Sequence, residues 1–210
     1  MLLIEFNMDI ITIILFSYIC GSIPFGFILT KIFIKKDIRE IGSGNIGATN
    51  VLRSGNKYLA IATLVLDMLK GYAVVTITAE VFPSLIQVSA LIVFLGHIFP
   101  IWLKFKGGKG VATYLGILFA LSISLGILFI FTWLVVSLIF KYSSVSSMFG
   151  SITVLLVNFF RHNILMAVDP SLLSSNNLNF LLLTFFILIL FAHRKNISNL
   201  KNKIEEKIKI

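Results

Sequence analysis

Charge is what this chain has least of: 13% of its 210 residues are Asp, Glu, Lys or Arg, against 58% that are hydrophobic. A soluble domain carries roughly 25% charged and 45–50% apolar residues. A chain of this size cannot hide so much apolar surface inside one globule, which excludes an ordinary soluble domain. Cysteine is nearly missing as well. Cys20 stands alone, so no disulfide can form within the chain, and its place in the first apolar run reads as a small core residue. The three histidines, His97, His162 and His193, have no cysteine or acidic cluster near them. That spacing makes no recognisable metal site, and neither metal nor cofactor is expected. No Lys or Arg precedes the first apolar run, whereas a secretory signal needs a basic start, so cleavage and export are not expected.

What the chain does have is long apolar runs, at residues 10–34, 58–82, 84–103, 111–140, 145–160 and 180–192. Runs of this length with few charges mark membrane-spanning helices. The run at 111–140 would reach ~45 Å as one helix, too long for a ~30 Å hydrocarbon core without strong tilt. Two helices breaking near Gly126 fit it as well, and the basic residues decide between the two readings.

Sixteen of the 18 Lys and Arg residues fall in four places. One group is Lys31, Lys35, Lys36, Arg39, Arg53 and Lys57, and a second is Lys104, Lys106 and Lys109. Lys141 stands alone, and the tail holds Arg194, Lys195, Lys201, Lys203, Lys207 and Lys209. Cytoplasmic loops collect Lys and Arg, so the net charge of +9 is first a statement about topology and not about nucleic acid. If all four groups face the cytoplasm, the run at 111–140 crosses twice. The expected architecture is an all-α polytopic protein of seven transmembrane helices, N-terminus outside and C-terminus cytoplasmic. Glu5, Asp9, Glu80 and Asp169 then fall outside. Residues 169–179, rich in Ser and Asn, read as an outer loop. No repeat, linker or soluble module is visible. Residues 1–210 read as one integral membrane domain, with 193–210 as a basic cytoplasmic tail, partly helical, against anionic lipid.

Three polar segments carry the chemistry. The loop at 41–57, IGSGNIGATNVLRSGNK, sets Gly44 and Gly47 among Ser43, Asn45, Thr49, Asn50 and Arg53. Glycines let backbone N–H groups close on an anion, and Arg53 adds a planar fork matched to phosphate oxygens. An ordinary loop with one topogenic arginine is the competing reading. The segment at 96–113, GHIFPIWLKFKGGKGVAT, places Lys104, Lys106 and Lys109 around Gly107, Gly108 and Gly110 before a helix start. A Gly-rich turn entering a helix N-terminus suits an anion. Gly110 follows Lys109 where a nucleotide-binding P-loop needs Ser or Thr, so nucleotide hydrolysis is not indicated. A positive-inside loop explains the lysines but not the glycines. Third, His193 and Asn196 share one face of a helical turn at the tail's start; a lone interfacial His is more often a cap than a base. With the topology above, all three segments lie on one side of the membrane. Asp67 and Lys70, one turn apart inside the second span, read as a self-neutralising pair that locks helices, outside the site.

The strings GSGNIGATNVLR, GHIFP with FKGGKGVAT, and HRKNI resemble the acyl-phosphate:glycerol-3-phosphate acyltransferase family of bacterial inner membranes. GSIPFG at 21–26, LDMLKG at 66–71 and Tyr142-Ser143-Ser144 match its pattern too, so the resemblance runs in order from about Gly21 to Glu205. It implies a seven-helix enzyme moving a fatty acyl group from acyl phosphate to the 1-hydroxyl of glycerol 3-phosphate. The products would be lysophosphatidic acid and phosphate, made at the cytoplasmic face in the first step of phospholipid synthesis. By resemblance, Ser43, Arg53 and Lys109 engage phosphate, the GGKG glycines shape the glycerol-phosphate pocket, and His193 and Asn196 are needed for activity. Gly44, Asn45, Gly47, Thr49, Asn50, His97 and Lys104 complete the expected binding set. Substrates and membrane lipid are the expected partners, with no nucleic acid and no obligate protein partner. The tail departs from the family at Asn199, where an Arg is usual, and at Lys203, where a Gly is usual; Glu205 keeps the acid. The His-x-x-x-x-Asp pair of another acyltransferase design is absent after each histidine. A small transporter of a phosphorylated metabolite is the alternative, but transporters bind near the midplane within repeats, and neither is visible.

Overall fold

Pro24 divides the first apolar run. It lacks an N–H and disfavours helix in the residue before it, so α1 (Leu2–Ser22) stops and α2 (Phe25–Phe33) restarts beyond it. The computed structural model describes residues 2–168 and 178–208. A 3₁₀ turn follows at Ile38–Glu40, then α3 (Ala48–Arg53) and α4 (Lys57–Val81). Asn56 caps α4 by accepting the Leu59 N–H at 3.0 Å. After a turn at Pro83–Leu85 comes α5 (Ile86–Ile98), which ends ahead of Pro100. The chain then passes through a third 3₁₀ turn, Ile101–Leu103, and enters α6 (Val111–Leu121) from Gly110, whose φ of +79° suits a residue without Cβ. The remaining helices are α7 (Ile123–Phe140), α8 (Ser143–Val168), α9 (Asn179–Ala192) and α10 (Arg194–Lys201).

The long run breaks at Ser122 and not near Gly126. Ser122 is extended, with φ −167° and ψ 119°, which ends the α6 ladder. Serine is favoured as the first cap of a following helix. Gly126 stays helical and is buried within α7 as packing surface.

Five segments are long and apolar enough to cross a membrane: Met8–Phe33, Lys57–Val81, Pro83–Leu103, Ile123–Phe140 and Ser143–Arg161. A sixth is reached if α9 and α10, bent by 56°, count as one span. The 11 residues of α6 are apolar but rise only ~16 Å. The expected outer loop at 169–179 lies outside the described residues except for its last residues, and Asn179 already begins α9.

The chain folds as two units, residues 1–123 and 124–210. In the first, glycines let helix backbones touch. Gly21 of α1 lies against the Val93 carbonyl of α5, and Gly96 of α5 lies against Tyr18 and Ser22 of α1. Gly71 of α4 meets the Thr113 carbonyl of α6, and Gly116 of α6 meets Met68 and Tyr72 of α4. Lipid gives no hydrophobic drive between helices, so close packing through small residues does that work. Side chains such as Ile11, Leu15, Ile61 and Leu64 stay exposed on these helices, a surface suited to lipid tails.

In the second unit Trp133 of α7 donates to Ser147 of α8 at 3.2 Å, and Gly150 of α8 sits against the Phe129 ring of α7. The tail is helical through α10 and then folds back. Its Ile208 N–H donates to the Lys141 carbonyl at 2.7 Å, so Ile208 is held by protein and Ile204 alone of the described tail isoleucines beyond α10 is left exposed.

Candidate functional site

The two Gly-plus-cation loops belong to the first unit and share a foundation. Ile46 and Val51 from the first loop, Leu103 from the edge of the second, and Ile38, Leu59 and Ala60 form one buried apolar cluster. Phe27, Leu29, Ile34 and Ile41 pack around it. The loops therefore stand at the same end of the unit.

Asn50 organises the first loop. It is 2% exposed. Its amide nitrogen faces the carbonyls of Ile38, Ile41 and Asn45 at 3.0, 2.9 and 2.7 Å, and its Oδ1 accepts the Ser43 N–H at 2.9 Å. Gly42, at φ +53°, leaves room for Asn50 and for the Arg53 side chain; a Cβ there would stand 2.6 Å from Asn50 Oδ1 and 2.9 Å from Arg53 Cδ. Asn45 Oδ1 accepts the Gly47 N–H at 2.9 Å, and the Gly44 N–H donates to the Ile41 carbonyl at 3.0 Å. The amides of Ser43, Gly44 and Gly47 are thus occupied inside the loop. What the loop presents outward is side chains: Ser43 and Arg53 half-buried, Thr49 exposed. Arg39, also in this region, is committed elsewhere. It pairs with Asp37 at 2.6 Å and lies 4.8 Å over the Phe27 ring. The guanidinium's hydrogen bond holds the Asp37 carboxyl down to about 2.

The second loop is tied to the end of α5. The Gly107 N–H donates to the Ile98 carbonyl at 3.0 Å and the Gly108 N–H to the His97 carbonyl at 3.1 Å. Those two amides therefore already have acceptors within the chain. The glycines serve approach instead: a Cβ on Gly107 would run into the His97 and Ile98 carbonyls and the Pro100 ring, and one on Gly108 would run into His97 Nε2. Gly110 makes room for the Phe94 ring. Donors remain at the start of α6, where the first N–H groups lack intrahelical partners. Lys109 stands half-buried beside them, while Lys104, left-handed at φ +52°, and Lys106 are exposed.

His97 is a buried hinge between this loop and α4. Its Nδ1 lies 3.6 Å from Asp67 Oδ1, and the same oxygen pairs with Lys70 Nζ at 2.8 Å. The expected Asp67–Lys70 pair is present, and its reach to His97 is the part that sequence reading missed. The only sequence signal was that LDMLKG and GHIFP are both polar interruptions of apolar runs.

His193 and Asn196 belong to the second unit. His193 is 2% exposed, with Nδ1 2.8 Å from the Ile189 carbonyl oxygen. A carbonyl only accepts, so Nδ1 carries the hydrogen, and in the neutral ring Nε2 is the basic nitrogen. Asn196 donates to Glu205 Oε1 at 2.6 Å, and Glu205 also accepts from Ser144 at 2.9 Å and Asn199 at 3.3 Å. Asn199, where the family has Arg, thereby supports the same acid. Among the described residues no group of three or more His, Cys, Asp or Glu could hold a metal.

The family profile described as glycerol-3-phosphate acyltransferase matches residues 11–203. The chain is 53% identical over 203 residues to the glycerol-3-phosphate acyltransferase of Pelagibacter ubique, covering 97% of this chain and all of that one. It is 47% identical over 199 residues to the protein of that name from Wolbachia pipientis, covering 93% and 96%. Among solved structures it resembles the crystal structure of PlsY (YgiH), described as an integral membrane glycerol 3-phosphate acyltransferase, in its glycerol 3-phosphate form. The TM-score is 0.83 at 33% identity, with 96% of each chain covered. The lysophosphatidic acid form of that protein matches with a TM-score of 0.80.

Proposed function

We propose that this chain, which belongs to the glycerol-3-phosphate acyltransferase family, takes its acyl group from an acyl phosphate and passes it to the 1-hydroxyl of glycerol 3-phosphate. The products are lysophosphatidic acid and inorganic phosphate. The observation that carries this reading is the shared foundation of the two loops. Leu103 and Val51 are buried in one cluster, and on that ground we put Arg53 and Lys109 at one end of the unit. Two cationic loops side by side suit two phosphates, and a donor bearing its own phosphate supplies the second.

The glycerol hydroxyl oxygen attacks the acyl carbon of the mixed anhydride. A carbon–oxygen ester bond forms, the bond from acyl carbon to phosphate oxygen breaks, and the phosphate leaves with the electron pair. No covalent enzyme intermediate is needed, because the donor is already activated. The two phosphates repel, and Arg53, Lys109 and the N-terminal amides of α6 offset that repulsion. Ser43 adds a neutral hydroxyl. Exposed Lys104 and Thr49 help gather anions at the rim. Asn50 and the glycines at 44, 47, 107 and 108, whose donors have internal acceptors, shape the loops, and Asn45 and Gly110 complete them. The hydroxyl proton passes to a substrate phosphate oxygen. Asp67, which faces His97 beside the second loop, is buried in its ion pair and unsuited to take it. His193 and Asn196 are required for turnover, and Glu205 braces Asn196.

We place the chain in a bacterial inner membrane with seven passes, N-terminus outside and both loops cytoplasmic, following the Lys and Arg distribution. The seven include α6 and α9 as short passes. Since α6 rises ~16 Å of a ~30 Å core, it cannot reach both surfaces, and we take the GGKG end to be the recessed one. Non-helical backbone at that depth survives only when buried in protein or lining a wet cavity. The loop's hydrogen bonds to α5 meet the first condition. A recessed phosphate site also brings the acyl chain within reach of lipid.

Purified protein in detergent, given acyl phosphate and labelled glycerol 3-phosphate, should form lysophosphatidic acid and phosphate in equal amounts. Absence of product with a correctly folded protein refutes the reading. A transporter of phosphorylated metabolites gives no product but moves label across vesicles.

A further inference from the structure

Inside the first unit a chain of buried polar contacts leads away from the second loop. Lys70 Nζ donates to the Ile23 carbonyl at 2.8 Å, a group left without a helical partner where Pro24 breaks the first run. Lys70 pairs with Asp67 at 2.8 Å, one helical turn away. Asp67 Oδ1 then faces His97 Nδ1 at 3.6 Å. The side chains of Lys70, Asp67 and His97 are 4%, 3% and 4% exposed. On the ring's other side, Nε2 abuts Gly108, so closely that a Cβ there would overlap it. The next residue is Lys109.

A buried ion pair is seldom retained for stability alone. Replacing one by apolar groups of similar volume is often neutral or stabilising, whereas an ionised residue within a membrane helix is by default a functional candidate. The orientation of His97 supplies the function. Nδ1 has no hydrogen-bond partner among the described residues. At 3.6 Å the carboxylate attracts it electrostatically without forming a hydrogen bond. An acceptor-only carboxylate favours the tautomer with the hydrogen on Nδ1 and draws that edge of the ring toward α4, while the Nε2 edge faces Gly108. The ring in that position supports the segment whose amides are bonded back to His97 and Ile98.

We infer that Asp67 is a positioning residue for glycerol 3-phosphate: it steers the His97 imidazole, which props Gly107–Gly108 and presents Lys109 to the substrate phosphate. Lys70 fixes the carboxylate and balances its charge. The inference rests on the reading that Lys109 binds phosphate.

The test uses the full chain in detergent and reads KM for each substrate, kcat, calorimetric binding of glycerol 3-phosphate, and melting temperature. Asp67→Asn removes the charge but strands Lys70, so Asp67→Asn/Lys70→Met serves as the charge-balanced variant. It should raise KM for glycerol 3-phosphate about tenfold, with KM for acyl phosphate unchanged. Adding His97→Gln should raise it no further, because both changes cut one path. An unchanged KM, an additive effect of His97→Gln, or an equal rise in both KM values with a lowered melting temperature overturns the inference. If neither Asp67 variant folds, His97→Gln, which leaves the ion pair intact, must by itself raise KM for glycerol 3-phosphate about tenfold; a wild-type KM there overturns it too. Lys109→Ala separates this result from the site reading: undiminished glycerol 3-phosphate binding in that variant refutes Lys109 as the phosphate contact, whatever Asp67 does.

Discussion

Leu103, the last apolar residue before the second loop, is buried in the same cluster as Val51, two residues before Arg53. About two-fifths of the chain's first unit separates these residues in sequence, yet they anchor two cationic loops to one base. The proposed phosphate site rests on that adjacency, and so do the tests below.

Arg53 should be the first loop's main phosphate contact. Arg53→Ala removes a charge-assisted hydrogen bond worth ~1.5–3 kcal/mol, so kcat/KM should fall on the order of tenfold to a hundredfold. Arg53→Lys should recover only part, lacking the planar fork. Arg39 is the control. It is already paired with Asp37, and Arg39→Gln should leave kcat/KM within about twofold, since surface pairs contribute little. Steady-state kinetics that rank Arg39 above Arg53 would move the site elsewhere.

Asn50 should act through the loop's shape. Asn50→Ala leaves the Ile38 carbonyl and its neighbours without their donor. The expected cost is on the order of 2–3 kcal/mol of stability, together with a raised KM for glycerol 3-phosphate. Asn50→Asp should be worse, because an ionised carboxylate would then face three carbonyl oxygens. Thermal melting in detergent ranks the two variants directly.

Gly108→Ala should act through His97. The new methyl group overlaps Nε2, so either the ring or the loop must move. A shift of this kind at a positioned cation should raise KM for glycerol 3-phosphate about tenfold or more. Inhibition by inorganic phosphate should weaken in parallel. An unaffected KM would mean that the loop's conformation is not what presents Lys109.

His193 distinguishes two routes for the hydroxyl proton. Its Nδ1 is held by the Ile189 carbonyl, which leaves Nε2 as the basic nitrogen of a neutral ring. With a substrate phosphate as acceptor, His193→Gln should lower kcat without shifting the acid limb of the pH–rate profile. Loss of that limb in the variant would make the histidine the base.

Much of this architecture is legible in the residues. Apolar runs place the long helices, since few charges are tolerated in lipid, and Pro24 announces its own break. Asp67 and Lys70 could be paired from their spacing alone. The break at Ser122 was less visible. Glycine and serine both interrupt that apolar run, and tertiary packing keeps Gly126 helical while Ser122 turns extended. The glycine-rich composition suggests backbone amides open to an anion, yet the amides of Ser43, Gly44, Gly47, Gly107 and Gly108 are spent on internal acceptors. Composition shows that a loop can approach an anion but not which of its donors are already used. The contacts of His97 with Asp67, and of Glu205 with Ser144, join residues far apart in the chain. Such long-range pairings leave no local pattern to read.

The most direct measurement is sided labelling of the two cations' positions. In a background with Cys20→Ser, single Arg53→Cys and Lys109→Cys proteins are probed in oriented membrane vesicles with an impermeant thiol reagent. Both cysteines should react only from the cytoplasmic side. Reaction of the two from opposite sides of the bilayer would contradict a shared phosphate site.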